Sequence, residues 1–577
     1  MSEIKDKEKR EWLKTLGLGA AAIATAGTLF LLSQRLSPTT LRGDILANYI
    51  IFQERELFKA LNGITGNIDF QDYDATVVIQ KAIEALYQRG GRIFIRNGVY
   101  VVRGFEIDNK GVPIIIEGEG NTVLRRKVDV SAEPNYGNTF LIRTGNGANN
   151  IVIRNIIFEA EPLKVTPVID PNLPIAPEEQ FHHISFSWAR KPGGTGYNII
   201  NDANILIEDC IFRNNPVTGA NNEYIWFSPS SYKGTIIRRC IFYQEIPINM
   251  IRVDYASDVV ITENVFRQDS DPLITNAPAV TLWGSDNPIS EPPFTDITGK
   301  NIVTNNIFYN TSLLLYGHSA LNVISNNTFI LDRNISPDLP AQDWGFITVA
   351  GTNATEDNPG YNGSIIANNT ILTDFSKVKI ATYGIRIENN TDVKIVNNTV
   401  IASNPFVIFG SGRGCHIEGN TFIGGIFSIS YAKDPNKCDN RYLKVVNNRI
   451  KTIRVVVRGN KMDSSIFANN IFENYSQDYP SIIFEIKTKG ALFINNEGYN
   501  KKEIKEINFE ENPFIYINEN PYPVNIIIIG EANVEYSKDG KKFYKVNNQI
   551  TLYPYEIVKV SYNLKPRILE IQLWAIP

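Results

Sequence analysis

Two short stretches set opposite charges two residues apart among apolar neighbours, Ile251-Arg252-Val253-Asp254 and Ile385-Arg386-Ile387-Glu388. In an extended strand, residues two apart lie on one face. Arg252 therefore shares a face with Asp254, and Arg386 with Glu388, opposite the isoleucines and Val253. Similar apolar runs carry aromatic residues: Trp226 in YIWFS, Trp283 at the end of AVTLW, Tyr316 with His318 in LLLYGH, and Trp344 at the head of WGFITV. The same alternation puts Leu282 and Leu315 inside and turns the rings outward. Flat rings stack on the apolar faces of pyranoses, while Arg and carboxylates fork to hydroxyls or to uronate carboxyls. Asp254 or Glu388 is the candidate acid or base for cleaving a glycosidic bond, with His318 or Arg252 assisting. Trp226, Trp283, Tyr316, Trp344 and Arg386 are the candidate substrate-binding residues. The competing interpretation makes each Arg and carboxylate a surface ion pair of little energy. In that interpretation the rings extend the core and His318 is a hydrogen-bonded bystander.

A repeat supplies the frame for these strands. NIVIRNIIF (150–158), NILIEDCIF (204–212), GTIIRRCIF (234–242), DVVITENVF (258–266) and KNIVTNNIF (300–308) begin a series of twelve copies that ends at ALFINN (491–496). Each copy alternates apolar and polar residues, breaks at an Asn pair or its equivalent, and resumes as a short apolar strand. Equivalent positions recur mostly every 21 to 30 residues, with two intervals of 42 that hold either long loops or a degenerate extra turn. Fixed strands with variable loops describe a solenoid. The second Asn falls at 264, 306, 327, 369, 398, 420, 448, 470 and 496, and Ile156, Cys210 and Cys240 take that slot in the first three copies. An Asn tolerates the left-handed backbone of a tight bend, and its amide can bond to the identical amide about 4.8 Å away on the next coil. The sequons at Asn326, Asn368 and Asn397 are read as part of this ladder, not as glycosylation sites. Cys210 and Cys240, on neighbouring coils, can form a disulfide or stack as thiols.

Asp74 followed by ATVVIQKAIEALYQRGG predicts an amphipathic helix with Val78, Ile79, Ala82, Ile83 and Leu86 on one face and Gly90-Gly91 at its end. Such a helix can close the open end of the first coil. With the strand RIFIRNGVYVV, residues 68–105 resemble the opening of the pectate-lyase-like superfamily, which includes polygalacturonases, epimerases and phage tailspikes. Arg96-Asn97 stands where that family usually has prolines. The resemblance, extended by the repeats to about residue 500, implies an all-β, right-handed parallel β-helix with an N-terminal capping helix. It also implies a polysaccharide groove built by the third strand of each coil: 182–188, 224–228, 250–255, 279–283, 313–318, 344–349, 383–388 and 405–409. It does not carry a reaction. The sequence lacks the Asp-Asp pair of polygalacturonases, has Gly317-His318-Ser319 for their Gly-His-Gly, and puts Arg449-Ile450-Lys451 at an Asn bend away from the groove. Pectate lyases hold calcium with clustered acidic residues. Such residues do not gather around Asp254 and Arg252, so calcium is unsupported and no cofactor is required.

At 577 residues, 43% hydrophobic and 20% charged, the chain can bury a large core. A net charge of −4, without a long basic block beyond the first fifteen residues, argues against nucleic acid. Four cysteines at 210, 240, 415 and 438 are too sparse for a zinc module, and no metal site is predicted. Five basic residues between Lys5 and Lys14 precede the charge-free stretch Thr15 to Leu32. This pattern reads as an export signal or membrane anchor over 1–36 and places the chain outside the cytoplasm or at the cell surface. Lys9-Arg10 makes it similar to a twin-arginine signal. Residues 37–67 are expected to be a helical connector, 68–505 the β-helix, and 506–577 a small β-sandwich, with which a homotrimer is compatible. Two classes of function stay open: a polysaccharide lyase or glycoside hydrolase, and a non-catalytic surface or virion spike that adheres to glycans.

Overall fold

The computed structural model describes residues 47–127, 139–144, 148–161, 181–186, 199–200, 203–214, 219–227, 231–245, 248–254, 256–269, 278–284, 299–317, 319–333, 345–351, 354–355, 359–378, 381–432, 434–475, 482–499, 503–519 and 524–572. Thirty-nine strands wind into one hydrogen-bonded sheet, parallel except at its N-terminal hairpin. The architecture is a right-handed parallel β-helix. Its first strands are short because two left-handed residues, five apart, bracket each of them: Asn204 and Asp209, Asp258 and Glu263, Lys300 and Asn305, Leu321 and Asn326, Asp392 and Asn397, Tyr442 and Asn447. Between such bends only three or four residues stay extended, as in Ile302–Thr304 and Lys394–Val396.

The paired asparagines divide two tasks that the sequence assigned to one. The first takes the positive φ, as at Asn305, Asn326, Asn368 and Asn397. The second is buried and forms the ladder, each amide donating to the next: Asn264 to Asn306, then 327, 369, 398, 420, 448, 470 and 496, all at 2.9 to 3.0 Å. The coils of Asn264 and Asn306 pair directly, as do those of Asn327 and Asn369, so both 42-residue intervals hold long loops and not an extra turn. All four cysteines are free thiols. Cys240 Sγ donates to Ile207 O at 3.8 Å and to Arg238 O at 3.3 Å, one carbonyl on the preceding coil and one two residues back on its own. Asn306 Nδ2 uses the equivalent pair, Ile261 O and Thr304 O. The thiols are therefore weak-donor substitutes within the ladder.

Where the ladder slot holds Ile156, Cys210 and Cys240, a second device fixes the stacking. Glu117, Arg154, Glu208 and Arg238 lie in register on successive coils and alternate in charge. Glu208, nearly buried, contacts Arg238 at 2.8 Å, Arg239 at 2.6 Å and Arg154 at 3.8 Å. In register, each of these carboxylates lies opposite an arginine of the neighbouring coil, a favourable cross-strand pair.

The helix Ala75–Glu84 caps the first coil, with Asp74 Oδ1 accepting from the Thr76 N–H at 2.8 Å and Val78, Ile79, Ala82, Ile83 and Leu86 buried against the solenoid core. The expected helical connector is instead an antiparallel hairpin, Tyr49–Glu54 with Leu57–Asn62. Its core-facing residues Tyr49, Ile51 and Ala60 follow a period of two, and Tyr49–Glu54 also pairs in parallel with Gly91–Ile95. At the other end, Glu503–Ile507 already belongs to a two-sheet antiparallel sandwich of eight strands, three residues before the expected boundary. Its separate core contacts Ile494 of the last coil. Among the described residues no helix is long and apolar enough to cross a membrane. The export or anchor segment lies outside the described residues.

Candidate functional site

The third strands stack in strict register. Ile251, Val253, Leu282, Leu315, Ile385 and Ile387 point inward and are at most 1% exposed. Their outward neighbours form two parallel rows along the solenoid. One row runs Trp226, Arg252, Thr281, Leu314, Thr348, Arg386 and Val407; the other runs Asp254, Trp283, Tyr316, Ala350, Glu388 and Phe409. Two clusters of ring and charge stand on these rows.

In the first cluster Arg252 is the hub. Its Nε donates to Asp254 Oδ1 at 2.8 Å, a terminal nitrogen lies 3.6 Å from Glu223, and the guanidinium sits 4.5 Å from the centre of the Trp283 ring. Trp226 Nε1 donates to the other Asp254 oxygen at 3.1 Å. The Trp226 ring stacks on His182 at 4.5 Å, and Tyr316 meets Trp283 edge-on at 5.1 Å. His182 Nδ1 lies 2.9 Å from Glu223 Oε2 with both side chains 1% exposed. Burial pushes the Asp254 carboxyl above the usual carboxylate range; Arg252 and the Trp226 N–H oppose this, and Glu223 adds to it. Burial also works against the Arg252 charge, but Asp254 and Glu223 outweigh it and hold the guanidinium protonated. Next to this cluster His183 faces inward against Tyr224, and burial lowers its pKa to about 3, which leaves it neutral.

The second cluster repeats the first in a simpler form. Arg386 donates to Glu388 at 3.0 Å and lies 4.9 Å from the centre of the Phe409 ring and 5.8 Å from that of Tyr383. Between the clusters the rows carry Thr281, Leu314, Thr348 and Ala350, which add no ring or charge. Four register steps separate Asp254 from Glu388, by way of Trp283, Tyr316 and Ala350. At about 4.8 Å per step these carboxylates are about 19 Å apart, well beyond the spacing of about 5 to 10 Å that two-carboxylate glycoside hydrolysis requires. The two therefore cannot act as one acid/base pair.

Trp226, Trp283 and Tyr316 are only partly buried on the outward rows, whereas Asp254, at 3%, and Arg386, at 9%, are covered. His318 and Trp344 lie outside the described residues. Glu223 and His182 were not singled out from the sequence, although His182 opens one predicted groove strand and Glu223 directly precedes another. Their meeting depends on the register His182 to Glu223, across a long loop and next to a bulge at Gly219 to Glu223. Among the described residues no three His, Cys, Asp or Glu side chains come together as metal ligands.

No family model matches the sequence, and no curated protein matches it. In fold the chain is similar to the A-module of a mannuronan C-5 epimerase from Azotobacter vinelandii, at 14% identity over 74% of this chain and 95% of that one, with a TM-score of 0.42. It is also similar to the tailspike protein of E. coli bacteriophage HK620 in complex with pentasaccharide, at 11% identity over 86% and 90% of the two chains, with a TM-score of 0.41.

Proposed function

We propose that the protein binds a polysaccharide lengthwise along the outward rows of its third strands, outside the cytoplasm. The observation that carries this reading is the recurrence, in register, of ring, arginine and carboxylate at two places on one continuous face: Trp226, Arg252, Asp254 and Trp283, and then Tyr383, Arg386, Glu388 and Phe409. Rings of this kind offer apolar faces and edges to pyranoses, and the charged groups give and accept hydrogen bonds with hydroxyls.

Affinity electrophoresis in gels containing soluble polysaccharides tests the reading. The full chain should be retarded by at least one of them, and Trp283→Ala should lose most of that retardation while keeping the circular dichroism of the parent. Unchanged retardation would refute the assignment of the site. A second reading, cleavage of the bound chain, is favoured only by the first cluster, where the carboxylates of Asp254 and Glu223 share one guanidinium and burial raises the Asp254 carboxyl above the usual carboxylate range. If it is right, reducing ends or unsaturated sugars accumulate and Asp254→Asn stops their release. If binding occurs without turnover, the protein is an adhesin.

A further inference from the structure

Resting on the reading of this face as a glycan-binding strip, we propose that its ligand is a neutral, hydroxyl-rich chain long enough to touch both clusters at once. Charge is the first argument. Among the described residues of the two clusters, two arginines face three carboxylates: Arg252 lies between Asp254 and Glu223, and Arg386 is bound to Glu388. Neither guanidinium has surplus positive charge to offer. The carboxylate of an acidic sugar docked on Arg252 or Arg386 would meet Asp254 or Glu388 on the same face, one strand pleat away. A hydroxyl meets no such conflict, since it can donate to the carboxylate and accept from the guanidinium at the same site.

Spacing is the second argument. The clusters are four register steps apart, about 19 Å along the solenoid. Of the intervening outward positions, Thr281, Thr348 and Ala350 are small, while Leu314 and Tyr316 are partly exposed and continue an uncharged, apolar surface from one cluster to the other. A pyranose chain laid along the axis advances by roughly one coil step per sugar, so on the order of four to six units are needed to reach from Trp283 to Phe409. Two weak contacts joined by one ligand reinforce each other through effective concentration, and a mono- or disaccharide forgoes that gain. The basic part of the same face begins only beyond Phe409, where Arg454 and Arg458 share Glu485 and Lys487 is exposed. An acidic polymer would be drawn to that end and away from the rings.

Calorimetric titration of the full chain tests this with hexasaccharides and disaccharides of glucose, mannose, galactose and xylose, alongside hexagalacturonate and hexamannuronate. The expected result is that at least one neutral hexasaccharide binds roughly tenfold or more tightly than its own disaccharide and than either hexauronate. Trp283→Ala and Phe409→Ala should each bring the hexasaccharide down towards disaccharide affinity. A hexauronate that binds more tightly than every neutral chain, or Phe409→Ala without effect, would overturn the inference and leave the strip standing as a glycan site. No binding by any probe, with the fold intact, would overturn both.

Discussion

Asn397 and Asn398 are adjacent and identical, yet the structure gives them unrelated physics, and replacing each in turn separates the two. The Asn398 side chain accepts from the backbone and side-chain N–H groups of Asn369 at 2.9 and 3.0 Å, and donates to Asn420 Oδ1 and Ile366 O, both at 2.9 Å. In Asn398→Ala the Asn369 backbone N–H loses this acceptor inside the core, while the Asn369 amide keeps Ile324 O. One stranded buried donor, plus the net loss of the other bonds, amounts to about 3 kcal/mol. Asn397 is exposed and held at φ 56°, a backbone that glycine adopts freely. Asn397→Gly should therefore be near neutral, and Asn397→Ala should cost about 1 kcal/mol through left-handed strain. Urea unfolding followed by circular dichroism, with midpoints compared at matched slopes, measures all three. If Asn398→Ala costs under about 1 kcal/mol, or Asn397→Gly costs as much as Asn398→Ala, the ladder is not the element that stabilises these coils.

Cys240→Asn should extend the ladder by one rung and raise the urea midpoint, since the Cys240 N–H already donates to Asn264 Oδ1 at 2.9 Å and two carbonyls wait for an amide; a lowered midpoint contradicts the substitution logic. Tyr442 is 58% exposed at φ 61°, so Tyr442→Gly should stabilise by about 1 kcal/mol in the same assay, and a loss would show that the tyrosine ring makes a contact outweighing its strain. Asp74→Ala should cost about 1 kcal/mol at neutral pH by removing the helix cap. Partial burial works against the Asp74 charge, but Arg103 and Thr76 prevail and hold the carboxyl below its usual range. Its contribution is thus present above the ordinary carboxylate pKa of about 4 and fades as pH falls through the lowered folded value. Unfolding curves of Asp74→Ala and parent should converge in acid, and a gap that widens there would reverse the sign of the argument.

The sequence made the solenoid legible because its signals are local and repeated. An Asn pair, an alternation of period two and a capped amphipathic helix each need only a few adjacent residues, and twelve copies average out the exceptions. The alternation likewise showed which side of each third strand turns outward. What local pattern could not show was the distance between coils along the axis, so Asp254 and Glu388 looked alike and the four steps between them were invisible. The Glu223 and His182 contact was missed for the same reason, since it joins two coils across a loop with no periodic signal. The first left-handed column escaped notice because Lys300, Leu321 and Tyr442 are not residues that usually mark a bend; the stacked coils impose that conformation on them. The hairpin at Tyr49 to Asn62 was read as helix because Glu, Arg, Leu and Ala within it favour helices, and pairing with Gly91–Ile95 overrode that preference.

Hydroxyl-radical footprinting of the full chain, with and without a polysaccharide that retards it, tests the proposed strip most directly. Protection should appear at Trp226, Trp283, Tyr316, Tyr383 and Phe409, while Tyr544 and Tyr555, exposed on the C-terminal sandwich, keep their reactivity. Protection confined to Tyr544 and Tyr555, with the ring residues of the third strands unchanged, would place the glycan elsewhere and contradict the account.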